Sequence, residues 1–598
     1  MKNLVIVGVV SAGIIFCLAG CGQKSENAIS EKAAAKYPLP EPPLVATCQS
    51  GKPGGRLVIA ERWEPKTFNP ITENEESSID IIRLMFASML GFDAPSQEVE
   101  PGLADWWTNS PDGKTWTFHL RKNLRWSDGA PLTADDVVFT CKDIVYNPKI
   151  NNVVRDALQV DGKDFIVTKV DDQTVKVVTP DVYAPMLVNF GSGLPILPRH
   201  ILAKTVVDGT FLSAYGINWK PQDIVCSGPF KLKEYKPAQY TLLERNPYFC
   251  EVDSNGTRLP YFDNVIYTVV PDMNAQNLVF LSGESDAVDF IYSDAYNQFR
   301  EAAAKGNFIL EEPGIGLETT FFFFNENTNT NPETGKPYVN PVKLKWFRNA
   351  KFRQACSYAI NREAIVKAIY GGRATAGYGI VTPGNKKWYD PNIKTYPYDP
   401  AKALELLKEI GISKRNSDGI LEDADSNPIE FVFNTNTGDN SRLKSAVMIQ
   451  SDLQKLGFKV IFQPVEFNAL INKSDVTFDY DCILIGLGGG STDPGSNMNV
   501  LKSSGFTHFW FPREKTPSTD WEARIDRLMD AQMRTLDYAQ RKKDFDEVQE
   551  IMAEEQPMIF TVTPDYYGAI RSDIGNVRLT ALDYHRVTWN AEELYFKK

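Results

Sequence analysis

A mixed α/β fold of at least two lobes is what this sequence predicts, on three observations. The chain has 598 residues, well past the ~250–300 residues at which one hydrophobic core stops growing. Strand-like and helix-like stretches alternate irregularly along it, with no repeat period that would suggest a solenoid or barrel. Hydrophobic residues make up 43% and charged residues 23%, the composition of an ordinary globular protein.

Each element has a local cause. Gly55 to Glu61 (GRLVIAE) reads as a short strand after a glycine-rich entry. Trp116-Thr117-Phe118-His119-Leu120 alternates with period two, and Lys122-Asn123 begins the turn after it. Thr133 followed by Ala134-Asp135-Asp136 caps a helix over Val137 to Tyr146, with acid in its first turn. Thr174 to Val178 is a strand. Arg348 to Tyr370 carries apolar residues at helical spacing and stops at Gly371-Gly372. Further helices are expected over Ala401 to Ile410, Ser441 to Leu456 and Ala531 to Glu554, and strands at Glu430 to Phe433, Lys459 to Phe462 and Cys482 to Ile485.

The N-terminus predicts export. Met1-Lys2-Asn3 is basic, Leu4 to Gly20 is apolar or small, and Leu18-Ala19-Gly20-Cys21 closes the run. That run is short for a membrane span. It resembles the lipobox of bacterial lipoproteins, which implies a signal peptide over 1–20 and lipidation of Cys21. Residues 21–49, small, polar and proline-rich, read as a tether. The protein is expected outside the cell membrane, lipid-anchored and facing the periplasm or cell exterior. A net charge of −12 argues against nucleic acid and anionic membrane surfaces as partners.

Enzyme and metal motifs are sparse. The four histidines (His119, His200, His508 and His585) never stand within five residues of one another, so zinc spacings such as HExxH are missing. There is no GxSxG elbow and no GxxxxGK[ST] loop. Gly486-Leu487-Gly488-Gly489-Gly490-Ser491 lacks the third glycine of a dinucleotide fingerprint and reads as a backbone turn lining a cleft. Asp423-Ala424-Asp425-Ser426-Asn427 starts like a calcium loop, but Pro428 stands where that loop needs glycine. A hairpin turn is the expectation there. Six cysteines follow Cys21 with no CxxC, and no pairing is inferred. No catalysis, metal or cofactor is expected.

One block carries a family resemblance. Gly102-Leu103-Ala104-Asp105-Trp106-Trp107 is followed by Asp112-Gly113-Lys114-Thr115-Trp116-Thr117-Phe118, Trp126-Ser127-Asp128-Gly129 and Leu132-Thr133-Ala134-Asp135-Asp136-Val137. Leu197-Pro198-Arg199-His200, Ser227-Gly228-Pro229-Phe230, Arg245-Asn246-Pro247-Tyr248, Ala359-Ile360-Asn361-Arg362 and Tyr398-Asp399-Pro400 continue it in order. The chain thus resembles family 5 extracellular solute-binding proteins, the peptide- and nickel-binding group of ABC importers. The resemblance implies a two-lobed periplasmic-binding-protein-like fold (type II, cluster C) with a domain inserted in the first lobe. Lobe one would comprise 50–80, 200–318 and 557–598, the insert 81–199, and lobe two 319–556, with crossings near Leu317 to Asn325 and Gln556 to Thr563. It also implies a monomer that captures a peptide or other small polar solute, such as an oligosaccharide, and delivers it to an ABC permease and ATPase. The alternative is a ligand-sensing or receptor-delivering lipoprotein uncoupled from transport.

Peptide-binding members carry a Gly-Trp pair and an Asp, four residues before a Pro, that holds the peptide ammonium. Leu487 and Gly490 occupy those two positions here. A buried ammonium without a carboxylate is costly, so recognition of a free peptide N-terminus is not expected unless another acid substitutes. The expected ligand-binding residues are Arg62, Trp63, Asn325, Tyr378, Trp388, Leu487, Gly488, Gly489, Gly490 and Asp493, with Thr382, Asn497 and Trp510 behind them.

Overall fold

The structure is a computed structural model that describes residues 37–73, 76–152, 154–293, 295–488, 492–512 and 514–598. The expected signal peptide, Cys21, the start of the tether, Gly489 and Gly490 lie outside the described residues.

A 12-stranded mixed sheet organises the molecule. In chain order its strands are β1 Arg56–Glu61, β2 Phe230–Lys236, β3 Tyr240–Arg245, β4 Asn264–Val269, β5 Ala287–Val288, β6 Phe308–Ile315, β7 Thr319–Phe324, β8 Ala374–Ala376, β9 Glu430–Asn436, β10 Lys459–Val465, β11 Cys482–Leu487 and β12 Ile559–Arg571. Their order is β2-β3-β4-β1-β5-β12-β7-β11-β9-β10, with β6 and β8 pairing additionally with β12. β12 joins the two halves. Its residues 559–564 pair with β7 and β8, and residues 565–571 pair with β5 and β6. The chain also crosses between the halves at 316–318, between β6 and β7. Pro564 and Gly316 mark the two crossings.

β7 explains why the second half needs cover on both sides. Its sequence is TTFFFF and all six residues are buried. Successive side chains point to opposite faces, so Phe322 and Phe324 enter one core and Phe321 and Phe323 another. Helices Ala350–Ala359, Arg362–Ile369 and Asn440–Leu456 cover the first. Helices Asp520–Met533 and Tyr538–Glu555 cover the second.

The segment 81–199 carries a four-stranded antiparallel sheet, in the order Ala104–Asn109, Thr115–Leu120, Thr174–Val178, Ile166–Lys169. Its buried residues run without a break into those of β1, β2, β3 and β4 and of 570–594. One core serves both.

Three expected helices differ in detail. The run 348–370 is two helices, parted where Ile360 is extended and Asn361 caps the next helix through Ala364 N–H. Helical spacing continues across the break because Arg362 is itself buried, donating to the carbonyls of Ser357, Phe560 and Gly377. The run 531–554 is likewise parted at Arg534 to Asp537, where Asp537 caps the second helix. Thr133 and Asp136 form a capping box, but the helix they start is α-helical only over Ala134–Phe139 and continues as a π-helical turn over Thr140–Val145. There the Thr140 hydroxyl donates to the Asp136 carbonyl. Asp423 accepts N–H bonds from Asp425 and Asn427, which makes 423–428 the expected hairpin turn.

Candidate functional site

Strand alternation at the crossing sets out the site. Odd and even residues of 317–320 point to opposite faces, and a cavity lies on each side.

On one face, Leu317 and Thr319 line a cavity of about 250 Å³ together with Ile380, Val381, Thr382, Asn385, Leu487, Gly488, Ser496, Asn497, Asn499, Val500 and Thr507. None of these residues is charged. Its polar groups are amides and hydroxyls. Three elements position them: the end of β11, the 380–385 loop after β8, and the 494–501 turn. The loop is held by Asn385, whose amide donates to the Thr492 carbonyl at 2.9 Å, and by the Thr382 hydroxyl, which donates to the Gly316 carbonyl. A Cβ on Gly488 would meet nothing within 4 Å, so that backbone stands in open space at the cavity edge.

On the other face, Glu318 and Thr320 line a cavity of about 170 Å³ built from both halves of the sheet. Phe290, Ile291, Tyr292 and Tyr566 come from one half, and Tyr370, Asp439 and Arg442 from the other. Tyr566 donates to Glu318 at 2.8 Å across the crossing. Burial pushes the Tyr566 hydroxyl well above its usual range, so it remains a donor. Arg442 lies 3.4 Å from Asp439 and 3.9 Å from Glu318. Gly486 lets the Arg442 guanidinium lie close against the strand, since a Cβ there would stand 2.6 Å from it and push the arginine aside.

A third cavity, of about 590 Å³, separates the 81–199 segment from the second half of the sheet. Glu98, Trp107 and Leu187 line one wall, and Lys387, Trp388, Asp493 and Arg541 the other. The walls are bridged by Lys387–Glu98 at 3.1 Å and Arg534–Asp161 at 2.6 Å.

The expected binding residues divide among these places. Leu487 and Gly488 line the uncharged cavity, as do Thr382 and Asn497. Trp388 and Asp493 line the third cavity, and both are already engaged there. Asp493 is buried in a bidentate pair with Arg541 at 2.8 and 2.9 Å and accepts from Gly495 N–H. Trp388 is 2% exposed, edge-on to Tyr538 and Phe545, with Arg541 5.0 Å over its ring. Arg62 stacks 4.1 Å over Trp63 and lies 6.0 Å from the ring of Tyr292, beside the second cavity. Trp63 is 41% exposed. Tyr378 lies under the Arg362 guanidinium at 4.9 Å. Asn325 sits at the far end of β7 from the crossing, fully buried. Its amide donates to the Phe478 and Tyr480 carbonyls and its oxygen accepts from Asn327. The structure gives it a packing role and lines none of the three cavities with it. Trp510 is also wholly buried. Sequence reasoning missed Glu318, Tyr292, Asp439 and Arg442; only Glu318 carried a signal, its nearness to the crossing, while the other three are remote from it in sequence.

Comparison with known proteins agrees with this architecture. Residues 98–508 match "Bacterial extracellular solute-binding proteins, family 5 Middle", more than half of the chain. A "Probable ABC transporter-binding protein" of Deinococcus radiodurans is 32% identical over 549 residues, 86% of this chain and 88% of that one. The "Oligopeptide-binding protein AppA" of Bacillus subtilis is 27% identical over 610 residues, covering 100% and 99%. The solved structure of that AppA with a nonapeptide superposes with a TM-score of 0.71 at 26% identity, over 92% of this chain and 100% of that one. With residues from both halves of the sheet meeting at a doubly crossed junction, and with these matches, the chain belongs to family 5 of the bacterial extracellular solute-binding proteins.

Proposed function

We propose that this protein captures a peptide or other small polar solute beside the 316–320 crossing and hands it to an ABC permease and its ATPase. The observation that carries the reading is the junction itself, where Tyr292 and Tyr566 of one half face Glu318, Asp439 and Arg442 of the other. Hinged halves that share a ligand gain affinity only when closed. The oligopeptide-binding relative supports a peptide class. A lipid anchor on Cys21 and a monomeric state complete the proposal. The transport role is favoured over free-standing sensing, because the relatives are named as ABC transporter and oligopeptide-binding proteins.

The uncharged cavity refines the ligand. Without a carboxylate among its described lining residues, and with Gly490 in place of the family's aspartate, it suits amide, carbonyl and hydroxyl groups better than an ammonium. Native mass spectrometry of the purified protein identifies the carried molecule, and peptides found this way are then titrated free and N-acetylated. The expected result is less than about a threefold difference in Kd. A charge-assisted hydrogen bond contributes on the order of 1.5–3 kcal/mol, so acetylation that weakens binding more than tenfold would show that an ammonium is recognised. Failure of any small polar solute to bind would remove the capture reading itself.

A further inference from the structure

Away from the cleft, three buried acid and imidazole groups meet, and two of them, His508 and Glu514, have bonding capacity unspent. His508 is 0% exposed, and Glu514 and Glu522 are each 3% exposed. One ligand atom from each lies within 4.8 Å of the other two. His508 Nδ1–H donates to the Val500 carbonyl at 2.9 Å. A carbonyl only accepts, so the ring hydrogen belongs on Nδ1 and the lone pair of a neutral ring on Nε2. Nε2 has no hydrogen-bond partner and faces Glu522 Oε1 at 3.7 Å. Neither Glu514 oxygen makes a hydrogen bond. The Ser518 hydroxyl beside it donates instead to Glu522 Oε2 at 3.1 Å.

We propose that His508, Glu514 and Glu522 form a structural site for one divalent transition-metal cation of the zinc class. A nitrogen with two carboxylates is the donor set such ions take, and an imidazole disfavours calcium and magnesium. Two carboxylates and a neutral imidazole carry the charge that balances a dication. Four-coordinate zinc, about 2.0 Å from each donor, sets donors about 3.3 Å apart; the His508–Glu522 pair at 3.7 Å is near that value, and the separations to Glu514, within 4.8 Å, have to shorten toward it on binding. The outer hydrogen bonds are those expected of a metal site. Val500 orients the imidazole, Trp510 Nε1–H donates to Glu522 Oε1 at 3.0 Å, and Thr519 holds Oε2 at 2.7 Å.

The competing arrangement is an imidazolium paired with Glu522. It leaves the separation beyond hydrogen-bond reach and does nothing for Glu514. The neighbouring acid Glu326 has its own counter-ion in Arg353 at 3.0 Å. Val500 and Thr507 line the uncharged cavity, so the metal would tie that wall to the helix Asp520–Met533. The inference is independent of what the cleft binds.

The test uses the full chain unfolded in guanidinium with a chelator, then refolded with or without zinc sulfate and desalted. Elemental analysis should find about one zinc per chain, and Tm should rise in the zinc-refolded sample. His508→Gln and Glu514→Gln should each hold less than about a tenth of an equivalent. Glu514→Gln keeps the shape of a protonated glutamic acid, so it serves if His508→Gln fails to fold. Zinc absent from the refolded wild type, or retained in a folded Glu514→Gln variant, overturns the proposal.

Discussion

His585 shows how a residue can be held in a charge state by groups far away in sequence. Its Nε2 lies 2.6 Å from Asp80 Oδ1 and its Nδ1 3.3 Å from Asp583 Oδ1. Burial and Arg83 both oppose protonation, yet the two carboxylates outweigh them and raise the imidazole from 6.5 to about 9. A group whose folded pKa is raised contributes its stability fully below the unfolded value and loses it as pH rises through the folded one. His585→Gln should therefore cost about 2–3 kcal/mol at pH 6, and the gap from wild type should shrink between pH 6.5 and 9. Urea unfolding of both proteins across that range checks it. Glu61, raised to about 8 by burial first and then by Asp80 and Asp289, titrates in the same window, so the difference between proteins is what should be read. A gap that does not vary with pH would mean the imidazolium is not the stabilising form. Asp493 teaches the complementary lesson. It was expected to bind ligand, but Arg541, which takes both of its oxygens, lies 48 residues away in the sequence. The His508, Glu514 and Glu522 trio was equally hidden. Its spacing matches no motif, and two of its members are carboxylates, which a search for clustered histidines passes over.

Among elements, the 380–385 loop is the one whose position decides the cavity. Gly384 packs so closely on the crossing that a Cβ would fall on the Ile315 carbonyl oxygen and 3.1 Å from that of Gly316. Backbone cannot step aside as a long side chain can. Gly384→Ala should leave the protein folded by circular dichroism while displacing this wall. Affinity for the carried solute should fall at least tenfold, about 1.4 kcal/mol, by calorimetric titration. Unchanged affinity would show that the loop does not shape the site. Strands at this scale were legible as short apolar or β-branched runs bounded by turn residues, since β1, β9, β10 and β11 begin within a residue of their expected starts. The helix breaks at Asn361 and Asp537 were less so. Apolar spacing runs through both, and only the capping asparagine and aspartate hinted at a new start.

For the whole molecule, no helix among the described residues is long and apolar enough to cross a membrane, and the lipobox reading is tested at the N-terminal segment. Cys21→Ser should move the protein from the membrane fraction to the soluble exported fraction and abolish incorporation of labelled fatty acid. Retention at the membrane with acylation intact would defeat the lipobox reading. The 81–199 segment shares its core with β1, β2, β3 and β4. It should therefore move with them as one body when the cleft opens, breaking the Lys387–Glu98 and Arg534–Asp161 bridges.

By itself the sequence determined what depends on neighbours along the chain: the short strand β1 after its glycine-rich entry, the alternation of Trp116–Leu120, the capping of the helix at Thr133, and the hairpin turn at Asp423. The ordered family block from Gly102 onward determined the lobed plan. What only the tertiary structure decided was which polar groups remain unspent. Asn325 and Asp493 look as available as Thr382 in a linear reading, but backbone carbonyls from 478–480 consume one and Arg541 the other. Thr319, Leu487 and Thr507 become one cavity wall only because β7 pairs with β11 and the 494–507 segment folds back across them. Such pairings depend on burial and on partners remote in sequence, and no local pattern encodes them.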